Sequence, residues 1–280
     1  MIIDSFIFNN ELDLLELRLS QLDDVVDKFV FVEANTTFMG QGKPYYYAEN
    51  RDRFARWNHK IVAASLPLPH NGDGWAYERL PREALQSLIY GLNPNPKDTL
   101  SFSDLDEIPN PVAVAQYQPA MGLRNLLQYT YYYHFNNLMN YGNRSWSRAR
   151  IGTVGDIARR GSMMDFRGGI GDMDPNFPSI ENGGWHGSYF HTDVEKIRHK
   201  VLSISHDDLH AYIRARTQKE IAQDVMEGND LFHRSGIGAG QFVPSDDPIR
   251  VPPYFTANLR QFRMFTRDYF KEVNKHILEG

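Results

Sequence analysis

The chain contains no cysteine, which excludes disulfides and thiolate metal sites and fits a reducing compartment. It has no run of about 18 apolar residues, the length a helix needs to cross a bilayer, so no membrane span is expected. There is no block of lysine and arginine, and the net charge is −5, so a general nucleic-acid binder is not expected. No internal repeat or low-complexity tract interrupts it, and no composition shift marks a linker. The opening residues, Met1-Ile2-Ile3-Asp4-Ser5-Phe6-Ile7-Phe8, lack a basic segment and are broken by Asp4, so they read as a strand rather than a signal peptide. What the chain has is length and aromatic side chains. Its 280 residues can bury a large core as one domain or two closely joined lobes. Its 17 Phe, 15 Tyr and 4 Trp allow surfaces for sugar stacking without requiring them.

The order of patterns predicts an α/β protein. Residues 2–8 read as a strand, and Leu12, Leu15, Leu19 and Leu22 then form a helical stripe. Phe29 to Glu33 is an apolar strand opening into the polar loop Ala34-Asn35-Thr36-Thr37, and Lys60 to Ala64 is a third strand ended by Pro67 and Pro69. Trp75 to Tyr90 reads as a helix despite Pro81, and Thr99 to Ser103 as a buried strand. Strands separated by helices in this rhythm predict a mostly parallel, Rossmann-like sheet with right-handed crossovers. Residues 1–111 therefore read as a nucleotide-binding half and 112–280 as a second half of one domain. In the second half Tyr129, Tyr131, Tyr133 and Phe135 alternate over 128–136 as in a half-buried strand. Residues 161–184, rich in Gly, Asp, Asn and Pro, read as a surface loop; Gly183 to Phe190 reads as a strand, and Pro253 to Ile277 as one long helix.

The chemistry concentrates after Ser103, in Asp104-Leu105-Asp106-Glu107-Ile108-Pro109. Pro109 stops the strand, so carboxylates are delivered at its C-terminal edge, where α/β sheets bind ligands. Asp104 and Asp106 point to one side in extended backbone, about 6–7 Å apart at Cα. That suits a hard divalent cation, Mn2+ or Mg2+, whose other ligands can be phosphate oxygens, and which would stabilise a diphosphate leaving group. An isolated Asp-x-Asp can equally be a solvated acidic turn; the buried strand before it and Glu-Ile-Pro after it favour a site. His206 is a candidate further ligand, and His186, between glycines and Trp185, could hydrogen-bond a substrate or phosphate; either could instead be structural. Glu33, Asn35 and Thr36 end a neighbouring strand and are expected, with Arg82 and with Asp104, to surround the nucleotide. Arg79 and Arg82, on the helix before the acidic strand, clamp phosphate, position the base or face solvent.

These segments, in order, resemble glycosyltransferase family 17, the β-1,4-mannosyl-glycoprotein N-acetylglucosaminyltransferase family. The resemblance runs through Phe8-Asn9-Asn10-Glu11-Leu12-Asp13, Glu33-Ala34-Asn35-Thr36-Thr37-Phe38, Asp73-Gly74-Trp75, Asp104-Leu105-Asp106-Glu107-Ile108-Pro109, and Gly184-Trp185-His186 with Ser188. It ends on Pro253-Tyr254 with Asn258, and 136–180 is poorly matched. It implies a GT-A fold with an acceptor-binding second half, metal and diphosphate on Asp104 and Asp106, a UDP-sugar donor (N-acetylglucosamine), a glycan acceptor and inversion at the anomeric carbon. Inversion requires a general base that is not a principal metal ligand. The family order of glycine strand, acid and histidine becomes Gly184, then Asp193 or Glu195, then His206; both acids could instead be helix-start charges. Without cysteines, anchor or stem, a cytoplasmic microbial or viral enzyme is expected. A nucleotidyltransferase acting on sugar phosphates and a non-catalytic carbohydrate-binding module remain the alternatives.

Overall fold

A computed structural model of the chain describes residues 1–37, 39–68, 74–139, 146–168, 177–203, 207–234, 237, 240–244, 247 and 250–280. In chain order the elements are β1 (Ile2–Phe8), α1 (Leu12–Leu22), β2 (Lys28–Ala34), α2 (Tyr46–Glu49), β3 (Ile61–Leu66), α3 (Gly74–Gly91), β4 (Thr99–Asp104), β5 (Glu107–Pro109), α4 (Pro111–Gln116) and β6 (Arg124–Tyr132). There follow β7 (Asn137–Leu138), β8 (Arg150–Thr153), α5 (Val154–Arg160), α6 (Met163–Arg167), β9 (Ser179–Ser188), α7 (Val194–Leu202), α8 (Asp207–Ala215), α9 (Gln218–Glu227), β10 (Gln241–Phe242), α10 (Pro253–Ala257), α11 (Arg267–Val273) and α12 (Lys275–Glu279). The chain forms two compact units, residues 1–128 with 146–184, and residues 129–145 with 185–280.

In the first unit β3, β2, β1 and β4 lie side by side and parallel, as the strand–helix alternation predicts. The sheet is nevertheless mixed, not mostly parallel. β8 runs antiparallel to β4, with Phe102 opposite Arg150, and β6 runs antiparallel to β8. β8 escapes a sequence reading because it is four buried residues long and starts on the buried cation Arg150. One face of this sheet packs Ile3, Val30, Val32, Leu100 and Phe102 against Leu85 and Ile89 of α3 and against Val154, Ile157, Met163 and Phe166. By the two-residue period of a strand, Asp4, Phe6 and Phe8 point to the other face. The segment expected as a surface loop over 161–184 contains α6, whose N-cap Ser162 accepts from Asp165 N, and the start of β9.

The second unit packs Val194, Ile197 and Val201 of α7 with Ile213, Ile221, Val225 and Phe270 around Tyr132 and Tyr133. The strand expected to reach 136 ends at Tyr132, because Tyr133 turns the backbone to φ 67°. The single helix expected over 253–277 is broken into α10, a 3-10 turn at Arg263–Phe265, α11 and α12. Thr266 supplies a new N-cap for α11, accepting from Tyr269 N, and local caps of this kind interrupt a helical period. The anchors Phe262, Phe265 and Phe270 are buried as the pattern requires.

His134 gives this unit a pH response. Its ring is fully buried near Phe270, and burial, reinforced by the Arg267 charge, pushes its pKa down to about 3. An unfolded histidine titrates near 6.5. Above that pH both states are neutral at this site; below it only the unfolded chain binds the proton, so stability falls until the pH reaches the folded value. The expected loss from this residue is about 2 kcal/mol at pH 5. His134→Gln should flatten the melting temperature between pH 6.5 and 4, and an unchanged pH profile would rule His134 out as the cause.

Candidate active site

The site grows from a buried ion pair. Asp4 interrupts the apolar β1, and Arg18 interrupts the leucine face of α1; the two meet with Arg18 Nε 2.8 Å from Asp4 Oδ2 and Nη2 2.8 Å from Oδ1. Ser101 Oγ donates to Asp4 Oδ1 at 2.6 Å, and the Arg18 guanidinium lies 4.4 Å from the Phe6 ring centroid. Arg18 is 0% exposed, yet its Nη1 donates to the carbonyl oxygens of Asp104, Leu105 and Glu107 at 2.7, 3.2 and 3.2 Å. Its Nη2 also donates to Ser103 Oγ, whose hydroxyl donates to Glu107 O at 2.9 Å. One guanidinium therefore gathers three carbonyls into the turn between β4 and β5, and Asp4 neutralises it there.

The turn sits at the C-terminal edge of the parallel strands. Ile7 of β1 is opposite Asp104, and Phe8 is opposite Glu33 of β2. Glu107 is buried: its Oε2 accepts from Asp104 N at 2.9 Å and its Oε1 from the Trp146 indole at 2.7 Å and from Arg167 Nη2 at 2.8 Å. The Asp104 side chain is 42% exposed; Arg167 Nη1 donates to its Oδ1, and Arg82 Nη2 lies 3.6 Å from the same oxygen. Burial works against the Arg167 charge, but Asp104, Glu107 and Asp106 outweigh it and push its pKa above the ordinary arginine value. Asp106 is partly exposed in the turn itself. Among the described residues, the three carboxylates Asp104, Asp106 and Glu107 lie against two guanidinium groups, Arg82 and Arg167.

The expected residues fall into different settings. Among the described residues no three His, Asp or Glu side chains are gathered to hold a metal, and His206 lies outside them. The hard oxygen donors Asp104 and Asp106 still fit a Mg2+- or Mn2+-type cation completed by water and phosphate. Arg82 is buried beside Asp104, whereas Arg79 is exposed and pairs with Glu83 at 2.5 Å on the helix surface. Glu33 is buried against α2, its oxygens accepting from Tyr47 N at 3.0 Å and Ala48 N at 3.3 Å; burial raises its pKa, partly offset by those bonds and by Lys43 at 3.8 Å. Asn35 Oδ1 accepts from Leu68 N at 2.7 Å, and Thr36 is buried and bridges to Gly42. In the second unit, Asp193 is the N-cap of α7, accepting from Lys196 N at 2.9 Å, and Glu195 accepts from Gln218 Nε2 at 2.7 Å. His186 is buried, with Nε2 3.0 Å from Ser188 Oγ.

A family model described as glycosyltransferase family 17 matches residues 1–235. The chain belongs to glycosyltransferase family 17. It is similar to the β-1,4-mannosyl-glycoprotein 4-β-N-acetylglucosaminyltransferases of mouse and rat, each 27% identical over 320 aligned residues that take in the whole chain and 56% of the relative. The human protein of that name is 36% identical over 115 residues, 39% of this chain. The chain thus spans about half the length of the curated mouse and rat relatives it matches. Two of the motifs that carry the family resemblance touch within the first unit. A Cβ at Gly184, whose φ is +148°, would collide with the carbonyl oxygen of Ile108, so the Gly-Trp-His segment needs glycine to pass the Glu-Ile-Pro strand. No helix among the described residues is long and apolar enough to cross a membrane.

Sequence reasoning missed Asp4, Arg18, Trp146 and Arg167. For Asp4 and Arg18 a signal existed: a carboxylate inside an apolar strand and a guanidinium inside a leucine stripe each need a buried partner. Nothing in the sequence around Arg167 pairs it with residues some sixty positions earlier.

Proposed function

We propose that the protein is a metal-dependent, inverting glycosyltransferase that moves a sugar, N-acetylglucosamine by family, from a UDP-sugar to a glycan acceptor hydroxyl. The observation that carries the reading is the acidic turn: two partly exposed carboxylates at the C-terminal edge of a parallel sheet, held from below by Arg18 and flanked by Arg82 and Arg167. A divalent cation bound there supplies charge neutralisation for the departing diphosphate. Asp104 and Asp106 would hold it, and Arg82 adds a second positive charge beside the phosphates. Arg18 keeps the turn in one shape, so little ordering is left for the moment of binding. The general base that deprotonates the acceptor hydroxyl is assigned to Asp193 first and Glu195 second, from the family order alone, since Asp193 is engaged here as the N-cap of α7.

The test is a panel of UDP-sugars with Mn2+ and glycan acceptors. Release of UDP from UDP-N-acetylglucosamine, abolished by EDTA, with a product of inverted anomeric configuration by NMR, is expected. Pyrophosphate release from a nucleoside triphosphate and a sugar phosphate would instead make it a nucleotidyltransferase. Chelator-insensitive sugar binding without turnover would make it a binding module.

A further inference from the structure

Arg167 competes for the carboxylates that a divalent cation requires. Its two terminal nitrogens reach separate acids, Nη1 to Asp104 Oδ1 and Nη2 to Glu107 Oε1 at 2.8 Å, and a planar fork suits such bridging. Its side chain is 11% exposed, so solvent and salt screen this pair less than an ordinary surface ion pair. Arg82, 3.6 Å from the same Asp104 oxygen, adds to the local positive charge. A cation arriving at Asp104 therefore meets two guanidinium groups rather than a bare acid. Counting the described residues alone, the three carboxylates and two guanidinium groups of the turn leave one net negative charge, and a divalent cation would reverse that sign.

We propose that Arg167 is the resident counter-cation of the acidic turn: it holds Asp104 and Glu107 when no metal is bound, yields Asp104 to an incoming divalent cation, and then pairs with the donor's diphosphate. The inference rests on the metal-dependent reading above and adds a residue and an order to it. Metal alone binds weakly, because it must displace Arg167. Diphosphate gives the displaced guanidinium a new partner, so each ligand strengthens the other by the same factor. Arg167 here is a positioning residue for metal and donor.

Two measurements taken together separate this from a structural role. MnCl2 alone is titrated into the protein, and free Mn2+ is read by electron paramagnetic resonance. Arg167→Gln is expected to bind Mn2+ about tenfold more tightly than the wild type. It should also bind UDP more weakly at saturating Mn2+. Loss of a nearby positive charge tightens Mn2+ binding by itself, so the hand-over is read from the pair of results: tighter Mn2+ with weaker UDP supports it, and tighter Mn2+ with unchanged UDP affinity overturns it. Arg167→Lys, which keeps the charge but not the fork, should fall between. Because Arg167→Gln takes a partner from buried Glu107, the double variant Arg167→Gln/Glu107→Gln serves as a second arm and should also bind Mn2+ more tightly. If the wild type binds Mn2+ and neither variant binds it more tightly, the competition is refuted and the metal reading stands. If the wild type binds no Mn2+ with or without UDP, both fall together.

Discussion

Asp106→Ala is expected to lower kcat/KM for sugar transfer by roughly 10³, about 4 kcal/mol of transition-state stabilisation, without a change in melting temperature. Asp106 lies partly exposed in the turn that Arg18 shapes through the carbonyls of its neighbours, so the backbone scaffold survives removal of this side chain. Asp104→Ala is a less clean probe, because it also takes a carboxylate from Arg167 and Arg82 and changes the charge balance around Glu107. The comparison is informative for that reason. Loss of Asp106 should be felt as metal and donor affinity together, read from Mn2+ titration and UDP binding on the folded variant. Wild-type kcat/KM in Asp106→Ala, or wild-type turnover in excess EDTA, would sink the metal-dependent reading.

Arg18→Met should cost about 3–5 kcal/mol of stability in the unit that holds the turn, measured by chemical denaturation, because it strands a buried carboxylate. The methionine fills much of the aliphatic volume but supplies none of the donors. Among the described residues Asp4 would keep the neutral Ser101 hydroxyl, and the carbonyls of Asp104, Leu105 and Glu107 would lose their shared guanidinium. The double variant Arg18→Met/Asp4→Asn is expected to recover part of the loss, since the uncompensated charge is gone while the carbonyls still lack their donor. A single-variant loss below about 1 kcal/mol would show that the pair is a bystander. Mn2+ affinity of Arg18→Met, measured where the protein is still folded, should fall, the opposite of the change expected for Arg167→Gln.

Much of the first unit was legible because burial there follows simple periods. Four apolar strands and the leucine face of α1 read directly from residues 2–104, and the observed strand ends lie within two residues of the expected ones. The acidic turn was legible in position from the apolar run before Asp104, but Pro109 does not stop that strand: β4 ends at Asp104, the chain turns at Leu105 and Asp106, and Pro109 closes β5. β8 and α6 were not, because a four-residue strand starting on a buried arginine and a five-residue helix among glycines carry too few positions to show a period. The continuous helix expected at the C-terminus failed differently. Phe262, Phe265 and Phe270 keep a helix-like spacing while Thr266 breaks the backbone between Phe265 and Phe270, and Asn274 breaks it again after them.

The sequence by itself determined the alternating architecture of the first unit, the position of the carboxylates along it and, through ordered motifs, the family. Each of these depends on residues close together in the chain, where side-chain period and backbone restriction act directly. Only the tertiary structure decided which cations face the carboxylates. Arg18 reaches the turn across 86 residues and Arg167 reaches Asp104 across 63, and these pairings depend on how α1 packs under β1 and how the segment after β8 returns to β4. Local periodicity flags Arg18 as needing a buried partner and flags nothing at Arg167, but it names no partner for either, so only the fold made them the scaffold and the counter-charge of the site.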